Sequence, residues 1–101
     1  MSWTWEQTGR TIADGLRVPA LGRLPWQHIR RSVSDIRLVS DDAIRSAMRR
    51  IAAEARLIAE PSGAVAVAMA LASEDLDPAR TVAVVSGGNV DVGDFARYVS
   101  G

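Results

Sequence analysis

The most constraining feature of the sequence is an apolar segment at residues 81–85, TVAVV, which runs directly into Ser-Gly-Gly-Asn at residues 86–89. A continuous run of this kind, rich in β-branched residues, is typical of a strand that is covered on both faces, as in a parallel sheet. Residues 35–40 alternate apolar and polar side chains and predict a second, shorter strand. We therefore expect an α/β chain with a strand-helix-helix-strand core.

Two helices are predicted between these strands. Residues 41–56 place apolar side chains on one face and arginines on the other, and Ser40 is positioned to cap the first turn. Residues 64–72 are small and apolar on every face, which predicts a buried helix. Shorter helices are expected at residues 24–33 and 94–99, and residues 1–10 are expected to be irregular.

The predicted sheet has only two strands, and its second strand is apolar on both faces. Such a sheet needs further strands and helices to cover its edges and faces. We therefore expect residues 1–101 to form one partial domain that belongs to a larger sheet.

Composition excludes several kinds of chemistry. All 12 basic residues are arginine, which stays protonated and cannot form a Schiff base. The absence of cysteine excludes thiolate catalysis and disulfides, and the single histidine, His28, is expected to be a solvated helix residue rather than a metal ligand. The formal net charge of zero argues against a nucleic-acid or anionic-membrane partner.

The cellular location of the chain is predicted from three features that are absent from the sequence: a signal peptide, a membrane span and cysteine. No signal peptide is visible at the start, and no apolar stretch approaches the roughly 20 residues that a membrane span needs. A chain without cysteine also fits a reducing compartment. These features predict a cytoplasmic protein with no membrane partner.

Three segments offer candidate ligand contacts, and each has a simpler structural interpretation. Ser86 and the Gly87-Gly88 pair follow a predicted strand, where ligands bind in open parallel sheets, but the segment also fits a tight turn. The EPSGA sequence at residues 60–64 also fits an ordinary helix start. Asp-Gly at residues 14–15 is also common in turns.

Taken together, four segments resemble the serine/threonine dehydratase and serine racemase family of pyridoxal-phosphate (PLP) enzymes. They are TIADGL at residues 11–16, DIRLVSDDAI at residues 35–44, EPSGA at residues 60–64 and SGGNVD at residues 86–91. The resemblance implies the C-terminal portion of a parallel-sheet PLP domain of fold type II, similar to the tryptophan synthase beta subunit. It also implies pyridoxal 5'-phosphate as the cofactor.

The resemblance also assigns roles to individual residues. Ser86 would hydrogen-bond the pyridine nitrogen of the cofactor, and Gly87 and Gly88 would leave room for the ring. Asn89 would orient this loop, and Glu60 would lie near the ring. The substrate side would be lined by Asp14 and Gly15.

Two parts of the family's active site are missing from this sequence. There is no Schiff-base lysine, and no glycine-rich phosphate loop, so no catalytic residue and no metal ligand is assigned. Enzymes of this family convert L-serine or L-threonine to a 2-oxoacid and ammonia, or racemise serine. We expect the chain to be inactive alone and to need the missing N-terminal part of the enzyme, or to associate with itself. The alternative is a non-catalytic α/β binding or interaction module derived from the same scaffold.

Overall fold

The computed structural model of the chain describes residues 10–18 and 20–100. The irregular segment predicted for residues 1–10 thus lies almost wholly outside the described residues. Within them the structure is helical. The helices are α1 (Arg23–Ser32), α2 (Asp41–Arg50), α3 (Pro61–Ala72) and α4 (Val92–Ser100), with 3-10 turns at Asp14–Leu16 and Pro78–Arg80.

The two predicted strands are not formed in the part of the chain that the structure describes. Residues 35–40 and 81–85 carry no regular secondary structure, although Thr81 has an extended backbone with φ −114° and ψ 132°. The side chains of Val82 and Val84 are 90% and 67% exposed. A strand exists only through hydrogen bonds to a neighbouring strand, so an apolar segment without such a neighbour stays unpaired. The predicted strand-helix-helix-strand core is therefore not confirmed.

Helix α2 begins as predicted and ends earlier than predicted. The hydroxyl of Ser40 accepts a hydrogen bond from the backbone N–H of Ala43 at 3.1 Å, which caps the first turn. The regular helix ends at Arg50 and continues as a π-helical turn over Ile51–Ala55. Arg56 then adopts a left-handed backbone with φ 58°, which ends the helical run where the sequence predicted a regular helix through residue 56.

The core lies between α2 and α3. Ile44 and Met48 of α2 are 1% and 0% exposed, and they form one apolar cluster with Ala64 and Ala68 of α3. The alanines allow close approach of the two helices because they project little beyond the backbone. Helix α3 is buried against α2 as predicted, but on one side only, since Leu71 is 50% exposed.

Helix α4 extends the predicted segment 94–99 by a few residues, because the carboxylate of Asp91 caps it. Asp91 Oδ2 accepts hydrogen bonds from the backbone N–H groups of Gly93 at 3.0 Å and Asp94 at 3.3 Å. At the other end of α4, Arg49 of α2 donates to the carbonyl of Val99 at 3.1 Å. These contacts fix α4 against α2.

Helix α1 contributes no buried residue, and His28 is exposed on it, as the sequence predicted. Among the described residues, the helices are too short or too polar to cross a membrane.

Arg37 fastens the segment before α2 to the end of α3. Its guanidinium donates to both carboxylate oxygens of Asp75, at 2.9 and 2.7 Å, and to Asp35 at 2.9 Å. The same group donates to the hydroxyl of Ser73 at 3.2 Å. Hydrogen bonding to Arg37 lowers the pKa of Asp75 and of Asp35.

This arginine is expected to give the chain a pH-dependent stability. A carboxylate with a lowered pKa stabilises the folded state above the pKa it has when unfolded, and loses this contribution as pH falls through its folded pKa. The free energies of unfolding of the wild type and of Arg37→Gln should therefore converge below about pH 4, the ordinary range of an aspartate. Urea unfolding at a series of pH values measures this difference.

The matched control is Arg80→Gln, which removes an exposed arginine that forms no ion pair among the described residues. The free energy of unfolding of this variant should differ from that of the wild type by a nearly constant amount over the same pH range. The prediction would be contradicted if the free energies of unfolding of Arg37→Gln and the wild type differed as much in acid as at neutral pH.

Candidate cofactor and substrate site

The EPSGA and SGGNVD segments lie directly against each other. The backbone N–H of Glu60 donates to the carbonyl of Gly87 at 3.1 Å. Gly63, in the first turn of α3, lies so close to Gly87 that a Cβ placed on it would overlap the Gly87 carbonyl oxygen and lie 2.8 Å from its nitrogen. Only glycine at position 63 permits this approach of helix to loop.

The TIADGL segment is attached to the starts of both core helices. The carboxylate of Asp41, at the start of α2, accepts from the backbone N–H of Ile12 at 3.1 Å and from the hydroxyl of Thr11 at 3.4 Å. The hydroxyl of Ser62, at the start of α3, accepts from the N–H of Gly15 at 2.7 Å. All four segments that carry the family resemblance are therefore joined into one cluster.

A cleft of about 170 Å³ opens where these segments meet. Three of the predicted site residues, Asp14, Glu60 and Asn89, line it together. It is also lined by Asp91, Asp94 and Tyr98 from around α4, among other residues. The carboxylates give the cleft a negative character, which suits a cationic group such as an amino-acid ammonium. In the part of the chain that the structure describes, no group of three or more potential metal-ligating side chains is found.

The other predicted site residues lie beside the cleft rather than in its lining. Gly15 is exposed and contacts Ser62, and Ser86 is exposed after the unpaired apolar segment. A Cβ on Gly87 would overlap the carboxylate of Glu60, and a Cβ on Gly88 would overlap the carbonyl oxygen of Ile58. The chain's own atoms thus occupy the space beside these two glycines on this side. Their role toward a cofactor stays a prediction.

Sequence reasoning missed Asp41 and Ser62 as residues that organise the site. The sequence pattern places Asp41 only in the first turn of the helix predicted over residues 41–56, and Ser62 only in a segment that also fits an ordinary helix start. Their partners lie about thirty and almost fifty residues away along the chain. The signal that would have found them is their place inside two segments that already carried the resemblance.

Comparison with known proteins identifies the family. A family model described as "Pyridoxal-phosphate dependent enzyme" matches residues 2–87. The chain belongs to the pyridoxal-phosphate-dependent enzyme family. It is 40% identical over 93 residues to the L-threonine dehydratase catabolic TdcB of Escherichia coli strain K12, covering 88% of this chain and 28% of that protein. It is 36% identical over 94 residues to the serine racemase of Schizosaccharomyces pombe, covering 92% of this chain and 29% of that protein.

Solved structures of PLP enzymes agree with this assignment. The structure of maize serine racemase aligns with a TM-score of 0.70 and 39% identity, covering 90% of this chain and 30% of that one. The resemblance predicted from the four segments is therefore confirmed, and so is its placement among relatives that use pyridoxal phosphate. The chain spans less than a third of the length of the relatives it matches.

The described residues include one donor that suits an edge of pyridoxal phosphate. The exposed hydroxyl of Ser86 has the right chemistry to hydrogen-bond a pyridine nitrogen. The aldehyde side of the cofactor requires a lysine amine, and the sequence contains no lysine. The amine that would hold the aldehyde is therefore not among the residues of this sequence.

Proposed function

We propose that this chain forms the side of the active site that faces the pyridine nitrogen of the cofactor in a serine/threonine dehydratase of the PLP-dependent family. We also propose that the chain is inactive by itself. The observation that carries the proposal is the cluster in which Asp14, Glu60 and Asn89 line one cleft. Ser86 lies beside it, three residues before Asn89 along the chain. The proposed reaction is the conversion of L-serine or L-threonine to a 2-oxoacid and ammonia.

Ser86 is proposed to hydrogen-bond the pyridine nitrogen. When bound, pyridoxal phosphate supplies the electron sink for bond breaking at the amino-acid Cα. A neutral hydroxyl does not hold a proton on the ring nitrogen as a carboxylate would. It therefore limits delocalisation into the ring and favours loss of the β-hydroxyl group.

The cleft residues are proposed to hold the ring and the substrate. Glu60 would lie near the ring while its backbone N–H keeps Gly87 in place, and Gly87 and Gly88 would set the ring's distance from the chain. Asn89 would orient the loop between Ser86 and α4. Asp14 and Gly15 would line the substrate side, where a carboxylate attracts the amino group of an amino acid.

We also infer that residues 35–40 and 81–85 become strands when the rest of the sheet is present. The support is the sequence pattern together with the exposure of Val82 and Val84, which a neighbouring layer would cover. Hydrogen exchange of these amides in a complete enzyme would test this inference.

A chimeric enzyme tests the proposed function. The 93 residues of E. coli TdcB that align with this chain would be replaced by the matching residues from this chain. We expect the chimera to bind pyridoxal phosphate and to release a 2-oxoacid from L-threonine, and the chain alone to release none. A chimera that folds and binds the cofactor without activity would contradict the proposal, as would turnover by the chain alone.

Within this chimera, Ser86→Ala is expected to lower kcat/KM for L-threonine by about 2- to 10-fold, because one hydrogen bond between neutral groups contributes about 0.5–1.5 kcal/mol. Steady-state kinetics with L-threonine measures the loss. The matched control is Ser46→Ala, at an exposed position of α2, which should keep the activity of the parent chimera. Equal kinetics for the two variants would remove Ser86 from the proposed site.

The second candidate is a non-catalytic interaction module. It is favoured by the exposed apolar side chains of Leu38, Val82 and Val84, which are 71%, 90% and 67% accessible and promote self-association. Two measurements together distinguish the candidates: sedimentation of the isolated chain, which reports self-association, and the activity of the chimera. A self-associating chain with an inactive chimera supports the module, and an active chimera supports the dehydratase part.

A further inference from the structure

We propose that Asp41 and Ser62 are positioning residues that together set where Asp14 lies in the cleft. Asp41 is not among the residues that line the cleft, and Ser62, which does line it, is proposed to act through its bond to the Gly15 N–H. The role of the cleft as a substrate site rests on the proposed function. The positioning of Asp14 rests on the hydrogen bonds that Asp41 and Ser62 accept.

Asp41 holds the segment on the N-terminal side of Asp14. Its Oδ1 atom accepts from the backbone N–H of Ile12 and from the hydroxyl of Thr11. The Thr11 hydroxyl oxygen in turn accepts from the N–H of Ala13 at 3.1 Å, and Ala13 is only 2% exposed. One carboxylate therefore fixes three consecutive residues against the first turn of α2.

Ser62 holds the segment on the C-terminal side of Asp14. Its hydroxyl oxygen accepts from the N–H of Gly15 at 2.7 Å, and this bond joins the segment to α3. A serine in a first helical turn often bonds to the backbone of its own helix. Here its acceptor position is used by a distant segment instead, so the bond links two parts of the fold.

The side chain of Asp14 bonds within its own segment. Its side chain is 76% exposed, and its carboxylate lies 3.3 Å from the guanidinium of Arg17, three residues along the same segment. The position of this carboxylate in the cleft therefore depends on the two anchored peptide groups on either side of it. Loss of either anchor would let the segment shift, while the contacts between α2 and α3 themselves remain.

Backbone hydrogen exchange of the chain tests the positioning by NMR. In Ser62→Ala, the Gly15 amide should exchange about fivefold faster, the change expected for loss of one net hydrogen bond. In Asp41→Ala, the Ile12 amide should respond in the same way. The amides of Ala47 and Ala68 in the core should be unchanged in both variants.

Conservative variants separate positioning from a general loss of folding. Ser62→Thr keeps the hydroxyl and Asp41→Asn keeps an acceptor oxygen, so each should restore most of the protection. Uniform loss of protection across the core, or slow exchange at Gly15 and Ile12 in the alanine variants, would overturn the inference.

The chimera described above supplies the functional measurement. Ser62→Ala should raise KM for L-threonine by about fivefold, with a smaller change in kcat and no change in cofactor absorbance, and Ser62→Thr should reverse it. An unchanged KM in an active chimera would overturn the positioning role. If the parent chimera is inactive, the proposed function fails, and the exchange experiment still decides whether Asp41 and Ser62 fix this segment.

Discussion

Replacing Gly63 with alanine is expected to lower the free energy of unfolding by about 2 kcal/mol, because an added methyl group overlaps backbone that has little freedom to move. The overlapping atoms belong to the peptide of Gly87, including its carbonyl oxygen. That carbonyl is also the acceptor for the N–H of Glu60 at 3.1 Å, so relief of the overlap breaks this bond. The intrinsic preference of alanine for helices, about 1 kcal/mol over glycine, offsets only part of the cost.

Urea unfolding followed by circular dichroism measures this effect. The matched control is Gly93→Ala in the first turn of α4, where the nearest atom to the added Cβ is Asp91 Oδ2 at 3.1 Å, the end of a side chain. A shift of this carboxylate by a few tenths of an ångström relieves the contact and keeps the hydrogen bonds by which Asp91 caps α4. The control should therefore be within about 0.5 kcal/mol of the wild type. Equal stability of the two variants would mean that the α3 start and the Gly87 loop are not in close contact.

Truncating Ile44 to alanine is expected to destabilise the chain by about 3 kcal/mol, within the range for removing a buried isoleucine side chain. Ile44 is 1% exposed and lies in the cluster between α2 and α3. A chain of this length has a total stability of about 5–15 kcal/mol. The cluster is small and several large apolar side chains lie outside it, so we expect the variant to be close to unfolding at 37 °C.

The matched control is Ile58→Ala, which removes the same atoms from a side chain that is 52% exposed. It should cost less than about 1 kcal/mol, because little apolar area returns to water. Thermal unfolding of both variants provides the comparison. If Ile58→Ala costs as much as Ile44→Ala in the isolated chain, then the exposed apolar surface is covered in solution, as self-association would require.

The unpaired apolar segment at residues 81–85 and the helical core differ in the partners that their backbone hydrogen bonds require. Helices satisfy their backbone hydrogen bonds internally, so α2 and α3 form within this chain from residues that the sequence places at helical spacing. A strand at residues 81–85 needs neighbours on its edges, and the described residues provide no backbone hydrogen bond to this segment from another part of the chain. The Glu60 N–H bonds only to the carbonyl of Gly87, two residues beyond it. The same sequence signal therefore gives an exposed segment here and is expected to give a buried strand in a complete sheet.

The helical part of the fold was largely predictable from local patterns. Ser40 was correctly identified as the cap of α2, and α1 and α4 differ from their predicted bounds by one or two residues. The end of α2 was not predictable, because a π-helical turn and a left-handed Arg56 are not encoded by helical spacing. The burial of α3 on one side only was also missed, since its composition is apolar all round.

The sequence by itself determined the family, the core helices and the absence of a lysine, because motif order, apolar spacing and residue identity are all properties of the chain as written. Only the tertiary structure decided which side chains join the motifs. Asp41 reaches Ile12, Ser62 reaches Gly15, and Gly63 touches Gly87 across long separations along the chain. Such contacts depend on how two helix starts and two loops pack in space, and a local pattern does not specify that packing.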